Sequence, residues 1–362
     1  MAYERVKIIG PPGTGKTTRV TQQGGYLFGM AMTNQAARQT QRTPQQPAGR
    51  TVHSALRLAS PADFGDICRR YANDTLWLDE AFQVPPYIMS LLVPLGQKTR
   101  LVITGDPDQC GPLAEADGRL VADDLNLKGL FMRAVIDRLE LLTVDHRNDH
   151  ALVALRDSLL AAPDVAAWMA AAIRTHPTLT PTSREEVLAG DHHLCFGNGY
   201  RHSLNAAILA ARGLVFAPPK ASSGLWLRAR ATRKAAGYSK HDRFELLAGC
   251  EAPSDVATLR SLSSGAELRL TASELCCFEP AYAGTIYSAQ GSTITAPCFI
   301  HQAHLLARPE HRALLYTAVT RCVRLTDVRL FRGLKGLPQV PAPPAVADGL
   351  DDGQGEGLTP FR

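Results

Sequence analysis

The residues with the most specific chemistry lie near the start of the chain, where Gly10-Pro11-Pro12-Gly13-Thr14-Gly15-Lys16-Thr17 forms a complete GxxxxGK[ST] segment. Such a segment binds nucleotide phosphates. Glycines let backbone N–H groups wrap an anion without Cβ clashes, and a helix beginning just after them adds the positive end of its dipole. Lys16 can reach the β- and γ-phosphates, and the Thr17 hydroxyl can ligate Mg²⁺. Gly10, Gly13, Thr14, Gly15 and Thr18 complete the candidate cradle. Two later segments offer matching groups. Leu76-Trp77-Leu78-Asp79-Glu80-Ala81 reads as an apolar strand delivering two carboxylates to a sheet edge. There Asp79 would hold Mg²⁺ and Glu80 would polarise an attacking water. Leu101-Val102-Ile103-Thr104 runs into Gly105-Asp106-Pro107-Asp108-Gln109, whose amide can touch a γ-phosphate or its water. By itself this third segment does not decide between that role and a polar turn.

These groups need elements to hold them. Apolar runs predict strands at Val6–Ile9, Leu27–Met32, Leu76–Leu78, Leu101–Thr104 and Leu142–Val144. Helical patterns fall near Lys16–Gln23, Asn34–Gln41 and Pro85–Leu95, and a long helical stretch covers Asp149–Ala172. The second half repeats the alternation. Strands are expected at His193–Phe196, Leu214–Phe216, Phe244–Leu247, Leu268–Thr271, Cys298–His301 and Val328–Phe331, with helices near His202–Arg212 and Glu310–Thr320. Strands alternating with helices predict an α/β fold with parallel sheets covered on both faces. At roughly 150 residues per domain, 362 residues suggest two domains. The expected boundaries are 1–148, 149–337 with a small insertion around 218–275, and a Pro/Gly-rich acidic tail, 338–362, expected to be disordered.

The order of segments resembles a known family. The phosphate loop is followed by Thr33-Asn34-Gln35-Ala36-Ala37, Thr51-Val52-His53-Ser54-Ala55-Leu56, LWLDEA, GDPDQ and Asp145-His146-Arg147. Then come Ala283-Gly284-Thr285-Ile286-Tyr287-Ser288-Ala289-Gln290-Gly291-Ser292-Thr293 and Leu315-Tyr316-Thr317-Ala318-Val319-Thr320-Arg321. This series is similar to the successive motifs of superfamily 1 helicases, over roughly residues 6–325, and TVHSAL and AYAGTIYSAQGST look most like the RecD/Dda-like branch of 5′-to-3′ motors. Small viral and phage helicases are similar too. The resemblance implies two RecA-like domains with ATP between them. Lys16, Thr17, Asp79, Glu80 and Gln109 would come from the first and Arg321 from the second, with Arg147 near the junction as the other arginine. Two arginines would neutralise charge developing on the γ-phosphate, and one supplied across a closing cleft would couple hydrolysis to closure.

Three departures accompany the resemblance. Nine residues precede Gly10 and none is the glutamine with which family members read adenine. The expectation is therefore an NTPase that hydrolyses GTP comparably to ATP. Between TVHSAL and LWLDE only Arg57–Thr75 remain, room for a stub of the strand-separating pin domain. Where the family often has an aromatic before the motif arginine, this chain has His146.

Single strands are held by hydroxyl and amide contacts, basic charge and aromatic stacking. Motif matching places Thr33, Asn34, Thr51 and His53 on the first domain's nucleic-acid face and Thr285 and Ser288 on the second. Gln290 would face either the strand or the nucleotide. Each of these residue types also serves as a helix cap or turn residue. Trp226–Lys240 interleaves Arg228, Arg230, Arg233, Lys234 and Lys240 with Trp226 and Tyr238, which suits backbone tracking; a solvated basic helix face explains it equally well. Phe82 and Tyr87 read as core residues with base contact as the alternative.

Composition agrees with an intracellular motor. The chain is 45% hydrophobic and 20% charged, which excludes an intrinsically disordered chain. The net charge is +5, and the tail from Pro338 holds four acids against one base, so the body is more basic still and suits a polyanionic partner. Eight cysteines without a CxxC pair read as free thiols in a reducing compartment. The start MAYERVKII is too charged for a signal peptide, and no apolar run reaches the ~20 residues of a membrane span. His192-His193 and His301-x-x-His304 lack the partners of a metal site and read as structural. Together these features predict a Mg²⁺-dependent, cytoplasmic, monomeric NTPase in a bacterium or virus-infected cell. It would move 5′ to 3′ on single-stranded nucleic acid, DNA before RNA, unwinding duplexes in replication or recombination, with replication proteins as candidate partners. The alternatives are an NTP-dependent single-strand-binding or remodelling protein, and a viral RNA helicase or 5′-triphosphatase.

Overall fold

The computed structural model describes residues 4–22, 27–41, 49–56, 64–72, 74–96, 98–112, 136–233, 235–341 and 343. By compactness the chain forms two units. The first takes Met1–Thr180, Ala289–Pro297 and Ala303–Leu330; the second takes Pro181–Ser288, Cys298–Gln302 and Phe331–Arg362.

Among the described residues the first unit contains a six-stranded sheet of β1 (Arg5–Ile9), β2 (Leu27–Ala31), β3 (Arg50–Thr51), β4 (Thr75–Leu78), β5 (Arg100–Gly105) and β6 (Arg138–Leu141). They lie in the order β3-β2-β4-β5-β1-β6, and every pair is parallel. Parallel strands need crossovers, and the helices α1 (Lys16–Thr21), α2 (Asn34–Gln39), α3 (Val52–Ala55), α4 (Phe64–Arg70) and α5 (Pro86–Gly96) supply them. Alternation along the strands divides the core. Leu76, Leu78, Leu101 and Ile103 face Val52, Ile67, Ile88 and Leu92, while Val6, Ile8, Trp77 and Val102 face Val20 of α1. Each such side chain, fully buried, contributes roughly 1.5–3 kcal/mol. β2 and β4 are buried at every position, as central strands covered on both faces must be.

Two expectations shift here. The strand predicted at Leu142–Val144 lies earlier, at Arg138–Leu141, as an edge strand with one face turned outward. Its register on β1 is fixed by ions rather than by the apolar run: Arg138 pairs with Glu4, and Arg19 of α1 donates to Glu140 at 2.6 Å. The helical stretch Asp149–Ala172 is two helices, His150–Ala161 and Val165–Thr175. Pro163 breaks it, since it has no N–H and pushes Ala162 out of the helical region. Asp164 then caps the second helix, accepting from the N–H groups of Ala166 and Ala167 at 2.8 and 3.1 Å.

In the second unit β7 (His192–Cys195) is flanked by two parallel neighbours, β15 (Ala283–Thr285) and β16 (Cys298–Ile300). β8 (Phe216–Ala217) and β9 (Lys220–Ala221) form a hairpin. The remaining strands, β10 (Trp226–Ala229), β11 (Arg243–Ala248), β12 (Val256–Ser261), β13 (Glu267–Thr271) and β14 (Phe278–Pro280), make an antiparallel sheet ordered β13-β12-β11-β10-β14. Phe244–Leu247 and Leu268–Thr271, expected in an α/β alternation, belong to this sheet instead. The linkers are the reason: residues 249–255 and 262–266 are too short for the dozen or more residues of a parallel crossover. The tail expectation falls mostly outside the described residues; Val340, Pro341 and Pro343 line a groove with Phe216, Phe278 and Pro280.

The histidines beside β7 are structural in the described geometry. His193 Nε2 donates to the Gly190 carbonyl at 3.0 Å, so its Nδ1 accepts from His301 Nε2, also at 3.0 Å. His301 Nδ1 must then accept from the Tyr200 hydroxyl at 3.0 Å, and that oxygen accepts from Leu334 N–H at 2.7 Å. Every donor has one acceptor only while both imidazoles are neutral. Burial holds His193 down to about 4 and His301 well below its ordinary value. The unfolded chain takes up protons near pH 6.5 and the folded chain does not, so this network stabilises the fold above that pH and loses its contribution as pH falls toward 4. Urea titrations should show the midpoint dropping over that interval. His301→Leu should flatten the drop while lowering stability at pH 7 by about 1–3 kcal/mol, because it leaves Tyr200 and His193 without their partners.

Candidate active site

Because β1, β4 and β5 are parallel neighbours, their carboxyl ends lie at one edge. Ile9 is opposite Gly105, and Leu78 is opposite Ile103. The loops after them hold the phosphate segment, Asp79-Glu80 and Asp106–Gln109. They bound a cavity of about 620 Å³. Its walls include Gly13, Gly15, Lys16, Thr17, Thr18, Asp79, Glu80, Gln109, Arg147 and Arg321, all in the first unit. Most of the residues singled out for nucleotide chemistry thus meet at one place.

The loop's backbone explains its glycines. Gly13 has φ +87° and Gly15 φ +78°, the left-handed region that side chains resist. A Cβ on Gly13 would also stand 2.3 Å from Asp145 Oδ1. Asp145 is fixed in that position: Oδ1 accepts from the N–H groups of Arg147 and Asn148, both at 3.0 Å, and Oδ2 pairs with buried Arg156 at 2.8 Å. The segment carrying Arg147 is thereby clamped onto the phosphate loop, and His146 N–H adds a bond to Gly13 O at 2.9 Å. Thr14 lies beneath the loop, donating to Pro11 O at 2.8 Å, and Gly10 is buried against Leu142 O; neither lines the cavity.

Charge is concentrated here. Lys16 Nζ donates to the carbonyls of Gly10 and Pro11 at 2.7 and 2.8 Å, and burial pulls its ammonium below the ordinary lysine value despite Asp106, Glu80 and Asp79 nearby. Glu80 has φ +50°, a strained conformation for a residue with a Cβ. Burial, and then the Asp79 charge, raise its carboxyl to about 7. Arg147 donates to Thr293 Oγ1 at 3.1 Å and Thr320 O at 3.2 Å, its guanidinium pulled down by burial and by neighbouring Arg321. Arg321 donates to Gln109 Oε1 and Ser292 O, both at 3.2 Å. Gln109 Nε2 in turn donates to Asp106 Oδ2 at 3.1 Å, which also accepts from the Tyr316 hydroxyl at 2.8 Å.

The donor set suits Mg²⁺. Thr17 and Asp79 offer hard oxygen ligands on one cavity wall, and among the described residues no group of three or more His, Cys, Asp or Glu could cage a metal. Mg²⁺ is commonly held this way, by one or two protein oxygens with water and phosphate filling the rest.

The other candidate residues lie elsewhere. Gln290 is buried, donating to Cys110 O at 3.3 Å, while its neighbours Gly291 and Thr293 reach the cavity. Thr33 Oγ1 accepts from Ala36 N–H at the start of α2, and Thr51 Oγ1 accepts from Ser54 N–H at the start of α3, so both cap helices. His53 is exposed on α3, and the Asn34 and Tyr87 side chains lie outside the described residues. Phe82 is buried in the core. In the second unit Thr285 Oγ1 accepts from Ser288 N–H at 3.2 Å and Ser288 Oγ donates back to Thr285 O at 2.8 Å, closing one turn.

The basic run is not the helix face offered as one reading of it. Residues 226–240 are a strand followed by turns, not a helix. Arg228 is buried with Glu279, which accepts from its Nε at 3.1 Å, and its Nη1 donates to Ser288 Oγ at 3.3 Å. Trp226 stacks on Tyr282, Tyr238 is buried, and Lys234 lies outside the described residues. The cavity also takes Pro12, Gln39, His146, Gly291 and Thr293, which sequence reasoning did not assign. His146 and Thr293 sit inside quoted motifs, so adjacency could have flagged them; nothing in the sequence marks Gln39. Gly13→Ala should weaken binding of a fluorescent nucleoside diphosphate about tenfold or more while circular dichroism stays native, because the strain and the clash both fall on the loop.

Among the described residues no helix is long and apolar enough to cross a membrane, and all eight cysteines are free. No curated protein sequence matches the chain. Residues 1–115 match a family model described as an AAA domain. Among solved structures, Bacteroides Pif1 bound to ssDNA superposes with TM-score 0.66 at 16% identity, covering 90% of this chain and 88% of that one. Bacteroides Pif1 helicase with ADP-AlF3 and ssDNA gives 0.62 at 16% identity, covering 94% and 91%. Pif1 helicase from Candida albicans gives 0.63 at 13% identity, covering 91% of each chain. An α/β, RecA-like fold is what this chain shares with those structures, with the AAA-domain match lying over its phosphate-loop end.

Proposed function

We propose that this chain is a helicase or translocase on single-stranded nucleic acid, driven by Mg²⁺-dependent hydrolysis of ATP and other NTPs. The observation that carries the reading is the convergence of Lys16, Thr17, Asp79, Glu80, Gln109, Arg147 and Arg321 on one cavity. The Pif1 structures of the same fold, one bound to ssDNA and another holding ADP-AlF3 with ssDNA, support it. DNA rather than RNA, and 5′-to-3′ movement, rest on the motif resemblance, as does a place in replication or recombination.

Each residue has a definable task. Lys16 exchanges the Gly10 and Pro11 carbonyls for phosphate oxygens, which are stronger acceptors because they are charged. Thr17 and Asp79 would hold Mg²⁺, which when bound supplies charge neutralisation at the phosphates. Glu80 takes a proton from the attacking water, and a carboxyl lifted toward neutrality is matched to that task. Gln109 orients the water or the γ-phosphate, while Arg147 and Arg321 oppose the charge that grows there. Thr33, Asn34, Thr51, His53, Thr285 and Ser288 are the proposed strand contacts, with Gln290 supporting the cavity wall through Cys110.

Glu80 works as a base only when ionised. kcat/KM for NTP hydrolysis should therefore rise with pH through about 7 and level off above it. Glu80→Gln should lose about 10²–10⁴-fold in kcat, and Lys16→Ala should lose turnover too. Normal turnover in either variant overturns the assignment. Strand displacement on tailed DNA and RNA duplexes with 5′ or 3′ overhangs tests the motor itself; NTP-dependent strand binding with no displacement on any substrate would replace it with a remodelling role.

A further inference from the structure

Trp77 and Thr104 stand behind Asp79 in a geometry the hydrolysis roles do not use. Asp79 lies two beyond Trp77, just past the end of β4, and Thr104 lies two beyond Val102 on β5, so the pleat directs all four side chains to the same face of the sheet. Trp77 is fully buried among Val6, Ile8, Val20 and Val102. Its indole Nε1 lies 2.8 Å from Thr104 Oγ1, and that oxygen lies 2.7 Å from Asp79 Oδ1.

The direction of these bonds is fixed by chemistry. An indole N–H can only donate, so Thr104 Oγ1 accepts from Trp77. The hydroxyl has one proton to give. Leu78 O is 3.4 Å away, while Asp79 Oδ1 is at 2.7 Å and carries charge, so the proton goes to Asp79. A second donor, Glu80 N–H, reaches the same oxygen at 3.0 Å. Oδ1 is thereby pinned on two sides. The indole hydrogen occupies one of the three positions around the Thr104 oxygen, which narrows the directions left to the hydroxyl proton.

We propose that Trp77 and Thr104 are positioning residues that set the Asp79 carboxylate for its cation, acting through a one-way Trp77→Thr104→Asp79 hydrogen-bond relay. The proposal rests on the reading that Asp79 holds Mg²⁺. Neither residue touches nucleotide, because neither lines the cavity. Partners that orient a metal-binding group typically change metal affinity 10–100-fold when removed.

The test uses the full chain with Mn²⁺ as the probe, its binding in the presence of ADP followed by electron paramagnetic resonance. Thr104→Val keeps the shape and removes the hydroxyl; it should weaken Mn²⁺ binding about tenfold or more, while metal-free ADP affinity stays within about twofold of the parent. Thr104→Ser should restore Mn²⁺ affinity. Trp77→Phe should weaken it in the same direction, and it serves as the second variant should Thr104→Val fold poorly. Parental Mn²⁺ affinity in a folded Thr104→Val or Trp77→Phe chain overturns the relay. An equal loss of ADP affinity with and without metal also overturns it, since that marks general damage to the site. If the parent itself binds no Mn²⁺ with ADP, or if Asp79→Asn binds it as the parent does, the underlying reading of Asp79 fails instead.

Discussion

The active site depends on one constraint, the parallel register of β1, β4 and β5. A parallel sheet puts every carboxyl end at one edge, and a shift of one residue would turn each side chain to the opposite face. With Ile9 opposite Gly105 and Leu78 opposite Ile103, the phosphate loop, Asp79-Glu80 and Gln109 emerge level with one another. The same alternation puts Leu76 and Leu78 in one core and Trp77 in the other. Hydrophobic burial on two faces therefore fixes which way the acids point. The fold holds the site through its core as much as through polar contacts at the edge.

Cations and carboxylates were brought together there at a cost in desolvation, and they offset it mutually. Lys16, Arg147 and Arg321 face Asp79 and Glu80, so the cavity keeps a positive excess suited to a polyphosphate. The Glu80 carboxyl is pushed up by burial and Asp79 and pulled back by Arg321 and Lys16. Its ionisation is thus sensitive to any phosphate that draws those cations away. Opposite charges buried in this way are poor sources of stability because desolvation consumes their attraction. Their arrangement makes sense as preorganisation for developing charge.

Much of this was legible in the residues. The GxxxxGK[ST] segment and the strand-then-acid patterns report local geometry, since a glycine at positive φ and an acid at a strand end depend on near neighbours alone. What stayed hidden depends on distant partners. Arg228 reads as a surface base until Glu279, fifty-one positions away, is seen to bury it. The antiparallel sheet was masked because strand patterns do not show their partners, although the short linkers 249–255 and 262–266 carried the information. Pro163 is a break readable within the long periodic stretch that hides it. Gln39 reaches the cavity only through tertiary folding.

A polar circuit behind Gln109 joins the cavity wall to the helix Arg312–Val319. Asp106 Oδ2 is shared by Gln109 Nε2 and the Tyr316 hydroxyl, and Arg321 grips Gln109 Oε1 from the far side. Tyr316 and Arg321 are five residues apart, at the end of one helix and just beyond it. On the proposed reading, a phosphate oxygen that took the Arg321 Nη2 hydrogen from Gln109 would free Gln109 Oε1. The freed carbonyl would then be an acceptor open to a water. Asp106 holds the amide's other end, so Gln109 could change partner without changing place. Burial holds the Tyr316 phenol far above its ordinary range, which keeps it a donor to Asp106 at any working pH. Tyr316, within the helix, and Arg321, just beyond its end, thus both tie that helix to the cavity wall, one through Asp106 and the other through Gln109.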